Sequence, residues 1–314
     1  LSPMSDHPWI VAKFGGTSVS TRARWDTIAG IVRRHRDAGR HPLLVCSALS
    51  GISDQLDGLL NAAESGGDLA GAVAAVNDRH RQLARDLGVD AEAALADAFD
   101  RLEALVEAVA ESPPVSPKQR AAVMAMGELM STRLGAAFLT DQGLSTRWLD
   151  AREYLRAQEE PHLAPKRRYL SATCAFHPDA VLQSHLSDDP HDVHLTQGFI
   201  ASNALGETVL LGRGGSDTSA AYFAAKLEAE TLEVWTDVPG MFTANPRDIP
   251  SARLLKQLAY DEAQELATMG AKVLHPRCLD PARRHHIPLQ IRSTDAPELS
   301  GTTVADDVPD AGPQ

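Results

Sequence analysis

The sequence is short of the features that mark several large protein classes. Its three cysteines, Cys46, Cys174 and Cys278, are far apart and odd in number, so it has neither a disulfide framework nor a cysteine metal spacing. Basic residues are outnumbered, 30 against 42 acidic, for a net charge of −12. A nucleic-acid surface needs clustered Lys and Arg, and no such stripe is present. No apolar run approaches a membrane span, and the short polar opening Leu1 to Pro8 is no signal peptide. Leu1-Ser2-Pro3 ahead of Met4 reads as a cloning remnant, with the natural start at Met4. His177, His185, His191 and His194 form a loose group without an i, i+4 pair on an apolar helix face, so solvated loop histidines are expected and no metal ligand is assigned. These absences point to a cytoplasmic protein with no nucleic-acid or membrane partner.

What is present is an α/β rhythm, with enough apolar residues (43%) for a large core. Ile10 to Phe14 reads as a buried strand broken by Gly15-Gly16. A helix follows, with Trp25, Ile28, Ile31 and Val32 on one face and Gly39 as its stop. Pro42 to Ala48 reads as a second buried strand, which makes a βαβ unit and hence a parallel sheet. Ser53 to Ala110 is helical with breaks at Gly66-Gly67 and Gly88. Lys118 to Gln142 is expected as one long amphipathic helix, Ser145 to Ala151 as a strand, and Gln158 to Pro165 as an exposed connection. Val193 to Ser202 and Glu207 to Arg213 are strands joined by a hairpin turn at Asn203 to Gly206. A helix after Ser216, a strand at Thr231 to Thr236, a helix at Tyr260 to Val273 and a final strand at Pro288 to Ser293 complete the pattern. The fold class is a three-layer αβα sandwich around a mostly parallel sheet.

Four segments place unusual residues at strand ends, where open α/β sheets bind ligands. In Lys13-Phe14-Gly15-Gly16-Thr17-Ser18 a lysine stands in an apolar strand. An ammonium buried there must be paired or functional, unless it snorkels. The glycines allow close backbone approach to a phosphate, although Lys13 precedes them and this is no Walker A loop. In Gly212-Arg213-Gly214-Gly215-Ser216-Asp217, Arg213 suits a carboxylate. Asp217 suits a lysine or a metal, or simply caps the helix with Ser216. The stretch Thr236-Asp237 through Phe242 to Arg247 could frame a nucleotide or be an ordinary turn. Lys272, in Gly270 to Pro276, could be a routine lysine at a helix end. Glu128 lies mid-helix beside Gly127, which costs about 1 kcal/mol there against alanine and so suggests a close approach. A surface glutamate is the plain alternative.

In this order the strings Lys13 to Val19, Gly127 to Ser131, Gly212 to Asp217, Trp235 to Gly240 and Gly270 to Pro276 resemble the aspartate kinases of the amino-acid kinase family, over about Ile10 to Val304. The resemblance implies a fold like that of carbamate kinase, with a substrate-binding lobe at 9–205 and a nucleotide-binding lobe at 206–304. Residues 1–8 and the acidic tail 305–314 are expected to be disordered. It implies ATP-dependent phosphorylation of the β-carboxylate of L-aspartate, with Mg²⁺, in a homo-oligomer such as a dimer. Lys13 and Asp217 would be catalytic. Ser47, Glu128, Phe199, Arg213 and Ser216 would bind aspartate, with Glu128 on its amino group and Arg213 on its α-carboxylate. Lys13, Gly15, Gly16, Thr17, Thr236, Asp237, Phe242, Arg247 and Lys272 would bind ATP. Phe242 and Asn245 depart from the Tyr and Asp common in relatives. The paired ACT regulatory domains that usually follow are not in this sequence, which suggests the catalytic part of a longer or bifunctional protein. A kinase for another amino acid and a catalytically dead regulatory subunit are the rivals.

Overall fold

The structure, a computed structural model, describes residues 8–243, 249–269 and 273–306. In chain order its elements begin with β1 (Trp9–Phe14), α1 (Arg22–Asp37) and β2 (His41–Cys46). The helices α2 (Ile52–Ser65), α3 (Leu69–Leu87), α4 (Ala91–Glu111), α5 (Pro117–Met124) and α6 (Met126–Asp141) follow. Then come β3 (Thr146–Trp148), α7 (Ala151–Tyr154), α8 (Pro165–Leu170), α9 (Ala180–Ser187), β4 (Val193–Gln197), β5 (Ile200–Ser202) and β6 (Thr208–Leu210). The last third holds α10 (Gly215–Leu227), β7 (Thr231–Thr236), β8 (Gln257–Ala259), α11 (Tyr260–Thr268), α12 (Leu279–Arg284), β9 (Leu289–Ser293) and β10 (Thr302–Ala305).

An eight-stranded sheet runs in the order β3-β4-β2-β1-β7-β9-β10-β8. Every pairing is parallel except β9 with β10. The β5–β6 hairpin stands apart as a two-stranded antiparallel sheet. β1, in the middle, is buried on both faces, which is why its sequence is apolar rather than alternating. Glu233, level with Ala12 in the ladder, bonds to His35 of α1, while the next residue of β1, Lys13, pairs with Asp217 of α10. Successive strand residues face opposite ways, so α1 and α10 cover opposite faces. α6 packs beside α1, with α2, α3 and α4 outside it, and α9 and α12 pack on α10.

The helix limits follow from local chemistry. Asp68 and Asp90 cap α3 and α4 through their side chains, and left-handed Gly66 and Gly88 end α2 and α3. Ser116 and Gln119 form a capping box with Pro117 at the first helical position of α5. Glu233 is buried and would be costly alone; His35 at 3.0 Å, the Trp235 indole at 2.8 Å and Arg292 at 3.6 Å surround it, tying α1 to β7 and β9.

Four expectations need correction. The single amphipathic helix over 118–142 is two helices meeting at Ala125, and the second is buried along most of its length. The strand over 193–202 breaks at Gly198-Phe199, where Phe199 takes φ +73°. The strand at 288–293 is not the last, because β10 returns antiparallel beside it. His194 is no loop histidine; it is a buried β4 residue whose ring lies 5.5 Å from that of Trp9. Burial drives its pKa down to about 4. Among the described residues no helix is long and apolar enough to cross a membrane.

Candidate active site

The carboxyl ends of β1, β2, β4 and β7 share one edge of the sheet, and the sequence motifs gather there. Lys13 lies one residue before the end of β1, between Val45 and Val234 of the neighbouring strands. Its Nζ is 2.8 Å from Asp217 Oδ1, with the two side chains only 15% and 12% exposed. The contact is ionic and not an aligned hydrogen bond. It resolves the question of a lysine in an apolar strand: this ammonium is paired, not snorkelling. It also settles Asp217, which does not cap. The N-cap of α10 is Gly214, which has no side chain to cap the helix.

Beside this pair, Ser216 Oγ lies 2.9 Å from Ser47 Oγ, just beyond the end of β2. Gly15 lies alongside the Lys13 ammonium, and Gly16 packs on the Ala48 carbonyl. Thr17 is exposed. Phe199, at the break after β4, is fixed by its amide bonding to Ser219 Oγ at 2.9 Å and by its carbonyl accepting from Leu211. A non-glycine residue at positive φ costs about 1–3 kcal/mol, so this geometry persists only because its neighbours impose it. Arg213 is exposed in the loop before α10.

Glu128 comes from the opposite face of the sheet. The break at Ala125 restarts the helix so that Glu128 falls in its first turn. It is no surface glutamate: it is 3% exposed, Oε1 accepts the Ala48 amide at 3.4 Å, and Oε2 has no partner among the described residues. Burial, only partly offset by the backbone amides of Glu128 and Ala48, pushes its pKa up to about 8. Gly127 allows this close seating, because a Cβ there would lie 2.9 Å from that of Ala48. Three further residues hold α6 in place. Ser131 donates to the Ser47 carbonyl at 2.6 Å. Thr132 donates to the Glu128 carbonyl at 2.7 Å and accepts from Gln197 Nε2 at 3.0 Å. Gln197 also accepts the Ala151 amide at 2.8 Å. Thr132 and Gln197 were missed in the sequence, although a glutamine in an apolar strand is the same kind of signal as Lys13.

On the other side of β1, Thr236 ends β7 with its carbonyl bonded to the Thr294 amide at 2.8 Å and its hydroxyl donating to the exposed Asp237 at 3.1 Å. Phe242 forms an isolated bridge with Leu254. Arg247 and Lys272, and the departure at Asn245, lie outside the described residues. So does Gly270 in the last motif.

A parallel α/β sheet with glycine turns, a lysine–aspartate pair and a buried carboxylate at its carboxyl edge defines a protein built to bind a small charged substrate beside an anion. The chain belongs to the amino acid kinase family, whose model matches residues 8–293. It is 34% identical over 302 residues to lysine-sensitive aspartokinase 3 of Escherichia coli, covering 94% of this chain and 64% of that protein. It is 32% identical to a chloroplastic bifunctional aspartokinase/homoserine dehydrogenase 1 of Arabidopsis thaliana, covering 96% of this chain and 33% of that one. The crystal structure of E. coli aspartokinase III in complex with aspartate and ADP superposes with a TM-score of 0.78 at 34% identity, covering 96% of this chain and 65% of that one. The chain thus spans about two thirds, or one third, of the length of these relatives.

Proposed function

We propose that this chain transfers the γ-phosphoryl group of ATP to the β-carboxylate of L-aspartate, giving β-aspartyl phosphate and ADP. What carries the proposal is the buried Glu128, its Oε2 unpartnered among the described residues and its Oε1 on the amide of Ala48, the residue after Ser47, whose hydroxyl bonds to Ser216 beside Lys13 and Asp217. A buried carboxylate without a cation suits a substrate ammonium. Arg213 would take the α-carboxylate, and Ser47, Phe199 and Ser216 would line the pocket. The similarity to an aspartokinase solved with aspartate and ADP supports the same assignment. In this reading residues 9–205 carry most of the aspartate contacts and 206–304 the nucleotide contacts, and the protein is cytoplasmic, its three cysteines being free and buried.

The chemistry needs no general base, because a carboxylate with an ordinary pKa near 4 is already a nucleophile at neutral pH. Its oxygen attacks the γ-phosphorus as the bond to the ADP oxygen breaks. The obstacle is the approach of one anion to another, and Lys13 supplies positive charge where it develops. Asp217 holds that ammonium in place. Gly15, Gly16 and Thr17 offer backbone amides to the phosphates, with Thr236, Asp237, Phe242, Arg247 and Lys272 on the nucleotide side. Among the described residues no three His, Cys, Asp or Glu side chains cluster to cage a metal. Mg²⁺ fits instead as an ion carried on the triphosphate, where it would neutralise phosphate oxygens. The decisive test is ADP release dependent on aspartate, with the product trapped as a hydroxamate. No aspartate-dependent turnover, or turnover with a different amino acid in its place, would overturn the proposal.

A further inference from the structure

Arg213 stands in a turn closed by the Gly215 amide, which bonds to the Gly212 carbonyl at 3.0 Å. Gly212 and Gly214 on either side take φ +74° and +70°, a region that glycine enters freely and leaves freely. An arginine on such a hinge pays conformational entropy each time it grips a ligand. Contacts from outside the turn have to add to the bond that closes it. Part of the answer is Arg277, whose guanidinium donates to the Leu211 carbonyl and, at 3.2 Å, to that of Ala172. The rest is His275. Gly214 packs so tightly on its ring that a Cβ there would lie 2.2 Å from Cγ and 2.6 Å from Cδ2. His275 also accepts the Arg277 amide on Nδ1 at 3.3 Å, which starts the short helical turn Pro276–Cys278. That turn packs on α10, which carries Asp217.

We propose that His275 is a positioning residue for the aspartate subsite: its ring, pressed on Gly214 and braced by Arg277, fixes the loop that presents Arg213. The inference rests on the function proposed above. Its ring is polar enough to sit at the half-exposed mouth of the site, yet neutral. Burial and the nearby Arg277 lower its pKa, Asp217 opposes this, and Arg213 adds to it. A neutral ring does not repel the guanidinium it helps to position.

Two substitutions separate the ring from the turn it caps. His275→Asn keeps an acceptor for the Arg277 amide and removes the ring; His275→Phe keeps a ring and removes the acceptor. His275→Asn is expected to raise the KM for aspartate about tenfold with the KM for ATP within about threefold, and His275→Phe to stay near the parent. The opposite ranking, no effect in either, or equal losses for both substrates would overturn the proposal. Amide hydrogen exchange across Gly212 to Ser216 supplies a readout free of catalysis, and must rise in the Asn variant and not in the Phe variant. If the parent makes no acyl phosphate from aspartate, the proposed function fails. The exchange result still decides whether His275 holds the loop.

Discussion

α6 and α10 start at the same edge of the sheet, on opposite faces, and each carries a carboxylate as its third residue, Glu128 and Asp217. Neither helix has a side-chain cap. In local terms the two ends are alike: a first-turn acid, favoured by the helix dipole. Their surroundings part them. Asp217 meets its cation within the fold, Lys13 at 2.8 Å. Among the described residues Glu128 meets none and its Oε2 stays unpartnered. One acid belongs to a finished ion pair; the other, on the function proposed above, is half of an ion pair whose second half would arrive with the substrate. Position on a helix therefore does not set the role of an acid; what the opposing element supplies does.

The comparison breaks most sharply at the finished pair. Lys13→Ala leaves Asp217 without its cation and the reaction without its charge. Turnover should fall by about 10³-fold or more, with an unchanged circular dichroism spectrum. Hydroxamate formation within tenfold of the parent would remove Lys13 from the centre of the reaction.

At the unfinished pair the loss should appear in binding. A charged hydrogen bond is worth about 1.5–3 kcal/mol, so Glu128→Gln and Arg213→Ala should each raise the KM for aspartate about 10- to 100-fold while the KM for ATP changes little. Equal changes in both constants would place these side chains elsewhere. Glu128 adds a pH dependence. Its pKa of about 8 leaves it mostly protonated at neutral pH, and an ammonium ligand favours the ionised form. Aspartate binding must then release a proton, and the KM should fall as pH rises from about 6 to 8. Glu128→Gln should flatten that slope; a parent with a flat profile would mean that Glu128 is already ionised.

The two helix starts were unequally legible in the sequence. α10 follows a visible strand and a run of glycines, so its beginning could be read directly, while Asp217 stayed open between a lysine partner, a metal and a cap. A lysine partner for Asp217 is among those alternatives, but that it is Lys13 follows from no local pattern, because the two lie on different elements and meet where α10 packs on β1. α6 begins inside what looks like one uninterrupted helix. Ala125 itself does not announce the break, being neither Gly nor Pro, and the signal two residues on, Gly127, marks the close packing on Ala48 after β2 and not the break. Hence Glu128 looked mid-helix. β8, at the edge of the sheet, and β10 beside it escaped notice for a related reason: strands of three and four residues are too short to show a period. Gln197 and Thr132 were hidden because their partners are distant in sequence.

A smaller effect should come from the residue that ties the Glu128 helix to the strand end. Ser131 donates to the Ser47 carbonyl. Ser131→Ala removes about 1 kcal/mol of hydrogen bonding and frees α6 to shift, so kcat/KM for aspartate should drop about fivefold. Unchanged kinetics would show that packing around Gly127 holds Glu128 without it.

The smallest effect is on stability, and it runs against the effect on function. Folding takes the Glu128 carboxyl from an ordinary pKa of 4.5 to about 8. Between those values the folded chain holds a proton that the unfolded chain has released. The contribution of this carboxyl is therefore fully present below pH 4.5 and is lost as pH rises toward 8. Glutamine has nearly the shape of the protonated acid, can keep the acceptor facing the Ala48 amide, and does not ionise. Glu128→Gln should thus melt near the parent at pH 4.5 and a few degrees above it at pH 8, in the absence of ligand. Aspartate should erase or reverse that advantage, because only the parent gains an ion pair from its ammonium. Asp217 offers the contrast: Asp217→Asn strands Lys13 in a mostly buried site and should lower the melting temperature at both pH values. If Glu128→Gln instead destabilises the chain at pH 8, Glu128 has a cationic partner in the free protein, and the distinction between the finished and the unfinished pair falls with it.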